Sequence, residues 1–206
     1  MILVTGGTGM VGAHLLVECV KKKQNLVATF RREESIDVVK KVFESIAPEY
    51  LKDFALIQWK KAPLNDINAL DDAFQGVEYV YHCAAKVSFA DHKTESLKKS
   101  NIEGTANIVN LCISNDIKKL CYVSSIATIG IPKDKTITEE TEWNPEANNS
   151  VYAITKYGAE MEVWRASQEG LNVVIVNPGV ILGAGIWRYG SAGLFKKAHK
   201  GMKYYT

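Results

Sequence analysis

Apolar β-type runs alternate with helix-patterned segments from the first residues onward. Strand-like runs fall at about 1–5, 25–30, 54–59, 78–83, 119–124 and 171–177. Between them the spacing of apolar positions predicts helices near 10–22, 33–47, 66–75, 92–115 and 150–168. Several of the strands, such as Leu26-Val27-Ala28 and Val173-Val174-Ile175-Val176, are continuously apolar rather than alternating. Runs apolar on both faces are what a parallel sheet covered by helices requires. Strict β-α alternation with right-handed crossovers therefore predicts an α/β fold, a doubly wound parallel sheet with helices on both faces. Two stretches break the pattern: a polar segment at 131–149 and a glycine-rich one at 178–193. A basic tail follows, Phe195-Lys196-Lys197-Ala198-His199-Lys200, which reads as a solvated helix face.

Composition adds mainly exclusions. A chain of 206 residues with 47% hydrophobic and 23% charged positions suits one ordinary domain with a sizeable core. A net charge of +2 offers no electrostatic case for a nucleic acid or membrane partner. Cys19, Cys83, Cys112 and Cys121 are scattered through apolar segments without CxxC spacing, so reduced core thiols and a cytoplasmic setting are expected. Met1 leads straight into Ile2-Leu3-Val4, which leaves no room for a signal peptide. The apolar stretch 171–187 is interrupted by Asn177, Pro178 and glycines and is no membrane span. No histidine has partners at metal-ligand spacing, so no metal is expected, and His14 reads as a structural residue of the first helix.

The first candidate chemistry lies where strand one meets helix one. Thr5-Gly6-Gly7-Thr8-Gly9-Met10-Val11-Gly12 puts glycines at GxxGxxG spacing between a strand and a helix. Gly6 permits a tight turn, Gly9 lets backbone approach a phosphate, and Gly12 lets the helix pack on the strand. The helix N-terminus, with Thr8, Met10 and Val11 around it, then offers N–H groups and positive dipole to a pyrophosphate. A dinucleotide is the expected ligand, and with no Gly-Lys-Ser/Thr ending the loop is no Walker-type clamp. Enzymes that prefer NAD usually carry an acid at the end of the second strand. This chain has Val27-Ala28-Thr29-Phe30-Arg31-Arg32 there. Guanidinium grips a 2′-phosphate by charge-assisted hydrogen bonds, so Arg31 and Arg32 favour NADP(H) over NAD(H).

The second candidate is Tyr152-Ala153-Ile154-Thr155-Lys156, at the start of a helical segment. Spacing i, i+4 puts Tyr152 and Lys156 on one face. A free phenol has a pKa near 10, and a neighbouring ammonium is expected to favour the phenolate and bring it into working range. In the reducing direction the same tyrosine donates its proton to the developing alkoxide. Leu120-Cys121-Tyr122-Val123 ends in Ser124-Ser125. A hydroxyl beyond the carboxyl end of a strand is placed to share charge with a substrate carbonyl.

The glycine loop, His82-Cys83-Ala84-Ala85, Val123-Ser124-Ser125 and Tyr152-(x3)-Lys156 occur in the order used by the extended short-chain dehydrogenase/reductase superfamily. Asn101-Ile102-Glu103-Gly104-Thr105 and Asn177-Pro178-Gly179-Val180 also resemble motifs of that superfamily. The likeness spans essentially the whole chain. It resembles most the NAD-dependent epimerase/dehydratase family, near the dihydroflavonol-reductase-like and hydroxysteroid-dehydrogenase-like members. The resemblance implies a Rossmann-type fold with Ser125, Tyr152 and Lys156 as the catalytic set, Lys156 also holding the nicotinamide ribose. It implies a weaker catalytic or structural role for Asn101. Cofactor contacts are implied for Leu64, for Cys83, Ala84 and Ala85 through backbone, for Ser124, and for Pro178, Gly179 and Val180 beside the nicotinamide. Homodimerisation through the helices near 92–115 and 150–168 is a further implication.

Two departures accompany the resemblance. The family usually has an Asp after the third strand to bind the adenine amino group, and Pro63 stands at the aligned position. Extended members also continue for roughly a hundred residues past this point, building a small substrate domain. A cofactor domain at 1–180 and the start of a truncated substrate region at 181–206 are expected. Sugar dehydratases of the superfamily carry Thr-Asp-Glu near the catalytic hydroxyl, whereas Ser124-Ser125-Ile126 has no acid. Sugar epimerases read Ser-Ala-Thr-Val-Tyr-Gly there, and Ser125-Ile126-Ala127-Thr128-Ile129-Gly130 fits only in part. The expected function is hydride transfer between NADP(H) and a small carbonyl or alcohol. A nucleotide-sugar epimerase and a non-catalytic dinucleotide sensor are the alternatives.

Overall fold

The computed structural model describes residues 1–88, 94–130, 137–184 and 198–201. Six strands form one sheet: β1 (Ile2–Thr5), β2 (Leu26–Phe30), β3 (Gln58–Lys61), β4 (Tyr79–His82), β5 (Lys119–Val123) and β6 (Val173–Val176). Their order is β3-β2-β1-β4-β5-β6, and every neighbouring pair is parallel. The helices are α1 (Met10–Lys21), α2 (Ile36–Ile46), α3 (Ile67–Phe74), α4 (Thr94–Lys98), α5 (Gly104–Ser114) and α6 (Val151–Gln168). The chain winds outward from β1 to β3, then returns to β4 and winds the other way. That reversal opens a crevice beyond the carboxyl ends of β1 and β4, the place where such sheets bind ligands.

Two buried cores sandwich the sheet. On one face Leu16, Val17, Val39 and Phe43 from α1 and α2 pack with Val4 and Ala28. On the other, Leu70, Phe74, Ile108, Cys112, Ala159 and Val163 from α3, α5 and α6 pack with Leu3, Val80 and Leu120. The predicted doubly wound architecture is therefore the observed one.

Three details differ from expectation. Residues Asp53–Leu56 form a turn of 3₁₀-helix instead of the start of a strand, and the pairing of β3 with β2 begins at Gln58. Phe54 leaves the strand direction to meet Phe43 at 5.2 Å and Trp59 at 6.0 Å, while Leu56 is left 73% exposed. The long helix expected at 92–115 is broken into α4 and α5 by a π-type segment, Lys99–Glu103. Such segments loosen the backbone ladder, and Asn101, one of the anticipated site residues, lies in this one. Val174 and Val176 in β6 are each 42% exposed, because α6 covers only the other face of that strand.

Parts of the expected layout fall outside the described residues. These are 131–136 of the polar segment, 185–193 of the glycine-rich segment and 195–197 of the basic tail. Of the expected second region, 181–206, only 181–184 and 198–201 are described.

Candidate functional site

The glycine loop is held by backbone geometry. Gly6 has φ +68°, and a Cβ there would stand 2.6 Å from the Ala84 nitrogen. The first glycine thus lets β1 turn directly against the end of β4. A Cβ on Gly12 would lie 2.3 Å from the Gly6 oxygen, so the third glycine is what seats α1 on the loop. Gly9 is the N-cap of α1, donates its N–H to the Gly6 oxygen at 2.9 Å, and supplies no side-chain cap. A Cβ added at Gly9 would meet only the Gly6 oxygen, at 3.3 Å. The outer side of the loop is therefore open to a ligand, as the spacing predicts. Gly12→Ala is expected to destabilise the fold by ~1–3 kcal/mol, the usual cost of overpacking, and to abolish dinucleotide binding. Thermal denaturation and NADPH fluorescence titration check both; a normal melting point with normal binding would contradict the packing role.

A cavity of about 590 Å³ opens over this loop. Gly6, Thr8, Gly9, Arg31, Arg32, Leu64, Cys83, Ala84 and Ala85 line it, as anticipated from the sequence. So do residues the sequence reading missed: Thr29, Phe30 and Ser35 around the arginines, Asn65 beside Leu64, Lys86 after β4, Ser96 on α4, and Lys99 and Ser100 in the π-type segment. The adjacency of these last four was hidden by the intervening loop and the π-type segment. Arg32 meets Glu34 at 3.6 Å, but both side chains are more than 70% exposed, so water screens that pair and leaves the guanidinium available. At Pro63 the chain turns with the Asp66 N–H on the Pro63 oxygen, 2.9 Å. Asn65 is the amide side chain nearest in sequence that could replace the missing carboxylate.

The remaining anticipated residues are not among those lining that cavity; they lie at the foot of α1, in the π-type segment, at the ends of β5 and β6 and on α6. Ser125 caps the short turn Ile126–Thr128, its Oγ accepting from the Ala127 N–H at 3.1 Å. Helix α6 starts at Ser150, whose Oγ accepts from the Ala153 N–H, which places Tyr152 in the first turn. The Ser125 hydroxyl acts on the Tyr152 phenol and favours its ionised form. Burial pushes the Tyr152 phenol up from its ordinary value, and the Ser125 hydroxyl opposes that only in part.

Lys156, expected together with an oxidised nicotinamide to lower the phenol, is not among the groups that shift it in the chain alone. Lys156 is instead drawn beneath the strand end, where its Nζ donates to the Tyr122 hydroxyl at 2.5 Å and to the Val123 oxygen at 2.9 Å. Only 1% of Lys156 is exposed, and burial pushes its ammonium down to about 7, with Glu160 and Cys83 opposing.

Asn101 is buried and its amide is engaged on both sides. Its Oδ1 accepts from the Lys86 N–H, and its Nδ2 donates to the Lys86 oxygen and to Thr155 Oγ1. It therefore ties the loop after β4 to α6, one residue before Lys156. Ser124 donates to the Glu160 carboxylate, which also accepts from Thr128 Oγ1 and Asn177 Nδ2 at 2.8 and 2.9 Å. The hydroxyl expected to face a cofactor is thus turned into a knot that braces the Ser125 turn. Glu160, one turn after Lys156, was not anticipated; its position four residues on was the available signal. Pro178 accepts from the Ile126 N–H, Gly179 lies against Ile126, and Val180 beyond β6 is 74% exposed. Met10, Val11 and Gly12 sit at the foot of α1.

His14 ties α1 to the Ala184 oxygen at 2.9 Å, the structural role expected of it. No metal-binding cluster occurs among the described residues, and all four cysteines are free. Burial pushes the Cys83 and Cys112 thiols up to about 12, which makes them inert. No helix among the described residues is long and apolar enough to cross a membrane.

Comparison with known proteins gives a consistent picture. Residues 2–200 match the model of the NAD-dependent epimerase/dehydratase family. A Synechocystis sp. protein provisionally named dihydroflavonol 4-reductase is 34% identical over 181 residues, covering 87% of this chain and 49% of that protein. Dihydroflavonol 4-reductase of Solanum lycopersicum is 28% identical, covering 88% of this chain and 50% of that protein. Among solved structures, the terminal R domain from the myxalamid PKS-NRPS pathway superposes with TM-score 0.79 at 28% identity. It covers 91% of this chain and 52% of its own. The chain spans about half the length of the curated relatives it matches.

Proposed function

This chain belongs to the NAD-dependent epimerase/dehydratase family, and from that premise we propose that it is the cofactor-binding half of an NADP(H)-linked oxidoreductase acting on a small carbonyl or alcohol. The observation that carries this reading is the convergence of Ser125, on the turn after β5, with Tyr152 in the first turn of α6 and Lys156 buried one turn further along. The residues present fit a dinucleotide: the glycine cradle leaves no room for a Cβ at Gly6 or Gly12, and a cavity of about 590 Å³ runs from it to Arg31 and Arg32. When bound, the dinucleotide supplies or accepts the hydride.

The chain's own groups do the rest. N–H groups at the start of α1 meet the pyrophosphate, and Arg31 and Arg32 hold the 2′-phosphate. Ser125 donates a hydrogen bond to the substrate carbonyl oxygen. Tyr152, whose proton burial helps to retain at neutral pH, delivers it to the same oxygen as charge develops there. Lys156 orients the nicotinamide ribose. Asn101 acts as a positioning residue, through Lys86 and Thr155. The named relatives at 28–34% identity are reductases, which favours redox chemistry over sugar epimerisation.

Two measurements on the intact protein test the proposal. NADPH oxidation is followed with a panel of aldehydes and ketones; binding without turnover of any of them would leave only a sensor. Cofactor choice is read by titration: Arg31→Ala combined with Arg32→Ala is expected to weaken NADPH by ~10- to 100-fold, the worth of a charge-assisted hydrogen bond, and to leave NADH within a few-fold. Equal loss for both cofactors would move the arginines away from the 2′-phosphate.

A further inference from the structure

Beyond the last paired residues of β5 and β6, Val123 and Val176, the sheet ladder no longer holds the two strand ends together. Both segments of interest lie past that point: the turn Ile126–Thr128, capped by Ser125, and residues 178–180 after β6. One side-chain oxygen takes over there. Glu160 Oε2 accepts from Ser124 Oγ, from Thr128 Oγ1 at 2.8 Å and from Asn177 Nδ2 at 2.9 Å. Ser124 precedes the capping serine, Thr128 closes its turn, and Asn177 leads into 178–180. Glu160 itself stands on α6, two turns past Tyr152.

Further bonds close the knot. Asn177 Nδ2 also lies 2.9 Å from Thr128 Oγ1 and 3.3 Å from the Ser125 backbone oxygen. The Ile126 N–H donates to the Pro178 oxygen at 3.0 Å. Donor and acceptor chemistry selects a carboxylate for the centre. An ionised carboxylate only accepts, with about four lone-pair sites on its two oxygens, whereas a glutamine amide presents two N–H donors on one side. Here both oxygens face donors, since Trp164 Nε1 lies 3.3 Å from Oε1. Hydrogen bonds to an ionised acceptor are also roughly twice as strong as neutral ones.

We propose that Glu160 is a positioning residue for the reaction, locking the Ser125 turn and segment 178–180 onto the helix that carries Tyr152. The substrate carbonyl then meets Ser125 and Tyr152 in one fixed arrangement. The proposal rests on the reading of those two residues as the groups that act on the carbonyl. Glu160 touches neither substrate nor cofactor in this role; it acts through Ser125.

The test separates positioning from mere packing. Glu160→Gln keeps the size of the side chain and is expected to lower kcat of the intact protein by ~10- to 100-fold, the cost of a misplacement of about 1 Å. NADPH affinity should stay within a few-fold, because the glycine loop and the arginine end of the cavity are untouched. Thr128→Val should lose kcat in the same direction, and Thr128→Ser, which keeps the hydroxyl, should restore it. A double-mutant cycle with Ser125→Ala reads the coupling. Acting through Ser125, Glu160→Gln should add no more than about twofold to the loss in Ser125→Ala, whereas independent contributions multiply. Multiplied losses overturn the proposal, as does wild-type kcat in folded Glu160→Gln with only a lower melting temperature. A different pattern isolates the underlying reading. If the wild type turns over no aldehyde or ketone, or if Tyr152→Phe and Ser125→Ala keep full turnover, the assignment of those two residues fails. Amide exchange then decides whether the carboxylate holds the turn: the Ile126 N–H should exchange ~10-fold faster in Glu160→Gln, and unchanged protection overturns that as well.

Discussion

Replacing Tyr152 with phenylalanine is expected to lower kcat of the intact protein by ~10²–10⁴-fold, the usual contribution of a positioned acid-base group. Cofactor affinity should stay within a few-fold of wild type, because the phenol oxygen and not the ring is the working part. Burial raises the phenol above its ordinary value, so Tyr152 keeps its proton at neutral pH and stands ready as an acid. The Ser125 hydroxyl that acts on the phenol is a second group suited to the same developing alkoxide. Carbonyl reduction and alcohol oxidation should fall by the same factor at a given pH, since the equilibrium is unchanged, and the loss should appear in kcat rather than KM. Ser125→Ala should cost less, since its hydrogen bond assists the same oxygen without transferring the proton. Turnover of Tyr152→Phe within a few-fold of wild type would remove the tyrosine from the chemistry and return the chain to the class of dinucleotide binders.

What was legible in the sequence is what backbone geometry makes obligatory. Gly6 and Gly12 could be assigned because the turn and the helix contact exclude a Cβ there. The doubly wound sheet followed from continuous apolar runs such as Leu26-Val27-Ala28, which bury on both faces. Where an apolar run served a turn instead, the reading failed: Phe54 follows Phe43 and Trp59 away from the strand. The Tyr152/Lys156 spacing placed both on α6 but said nothing of where the lysine would reach. That was decided by Tyr122, which sits in an apolar strand and reads as core, and by cross-strand register joining positions 5, 82 and 122. Register is a long-range property of pairing and leaves no local mark. The same holds for Glu160, whose Oε2 takes donors from the residue after β5, the following turn and the residue after β6.

Acid should destabilise this fold through His82, and the size of the effect is set by how thoroughly the imidazole is buried. The side chain is fully enclosed, and burial first, then the positive charge of Lys156, push its pKa from 6.5 down to about 3. In the unfolded chain the same imidazole titrates near 6.5. Between these two values the unfolded state binds a proton that the folded state refuses. Stability is therefore fully present above pH 6.5 and is lost as pH falls toward 3, at ~1.4 kcal/mol per pH unit and on the order of 5 kcal/mol in all. Lys156 acts in the adjoining window with the same sign. Its folded pKa of about 7 lies below the ordinary 10.5, so stability rises with pH from 7 to 10.5 and this contribution is absent below 7. The two groups together make the fold steadily weaker from alkaline to acid conditions. His82→Gln replaces the titrating ring with a neutral amide. It should cost stability at pH 7, where a fitted ring is lost, yet flatten the dependence between pH 6.5 and 3. Urea unfolding at pH 4.5 and 6.5 reads the difference directly: the wild type should lose roughly 2–3 kcal/mol more than the variant over that interval. Parallel losses in the two proteins would mean that His82 takes up its proton without leaving the fold, and that the centre of the sheet tolerates an imidazolium.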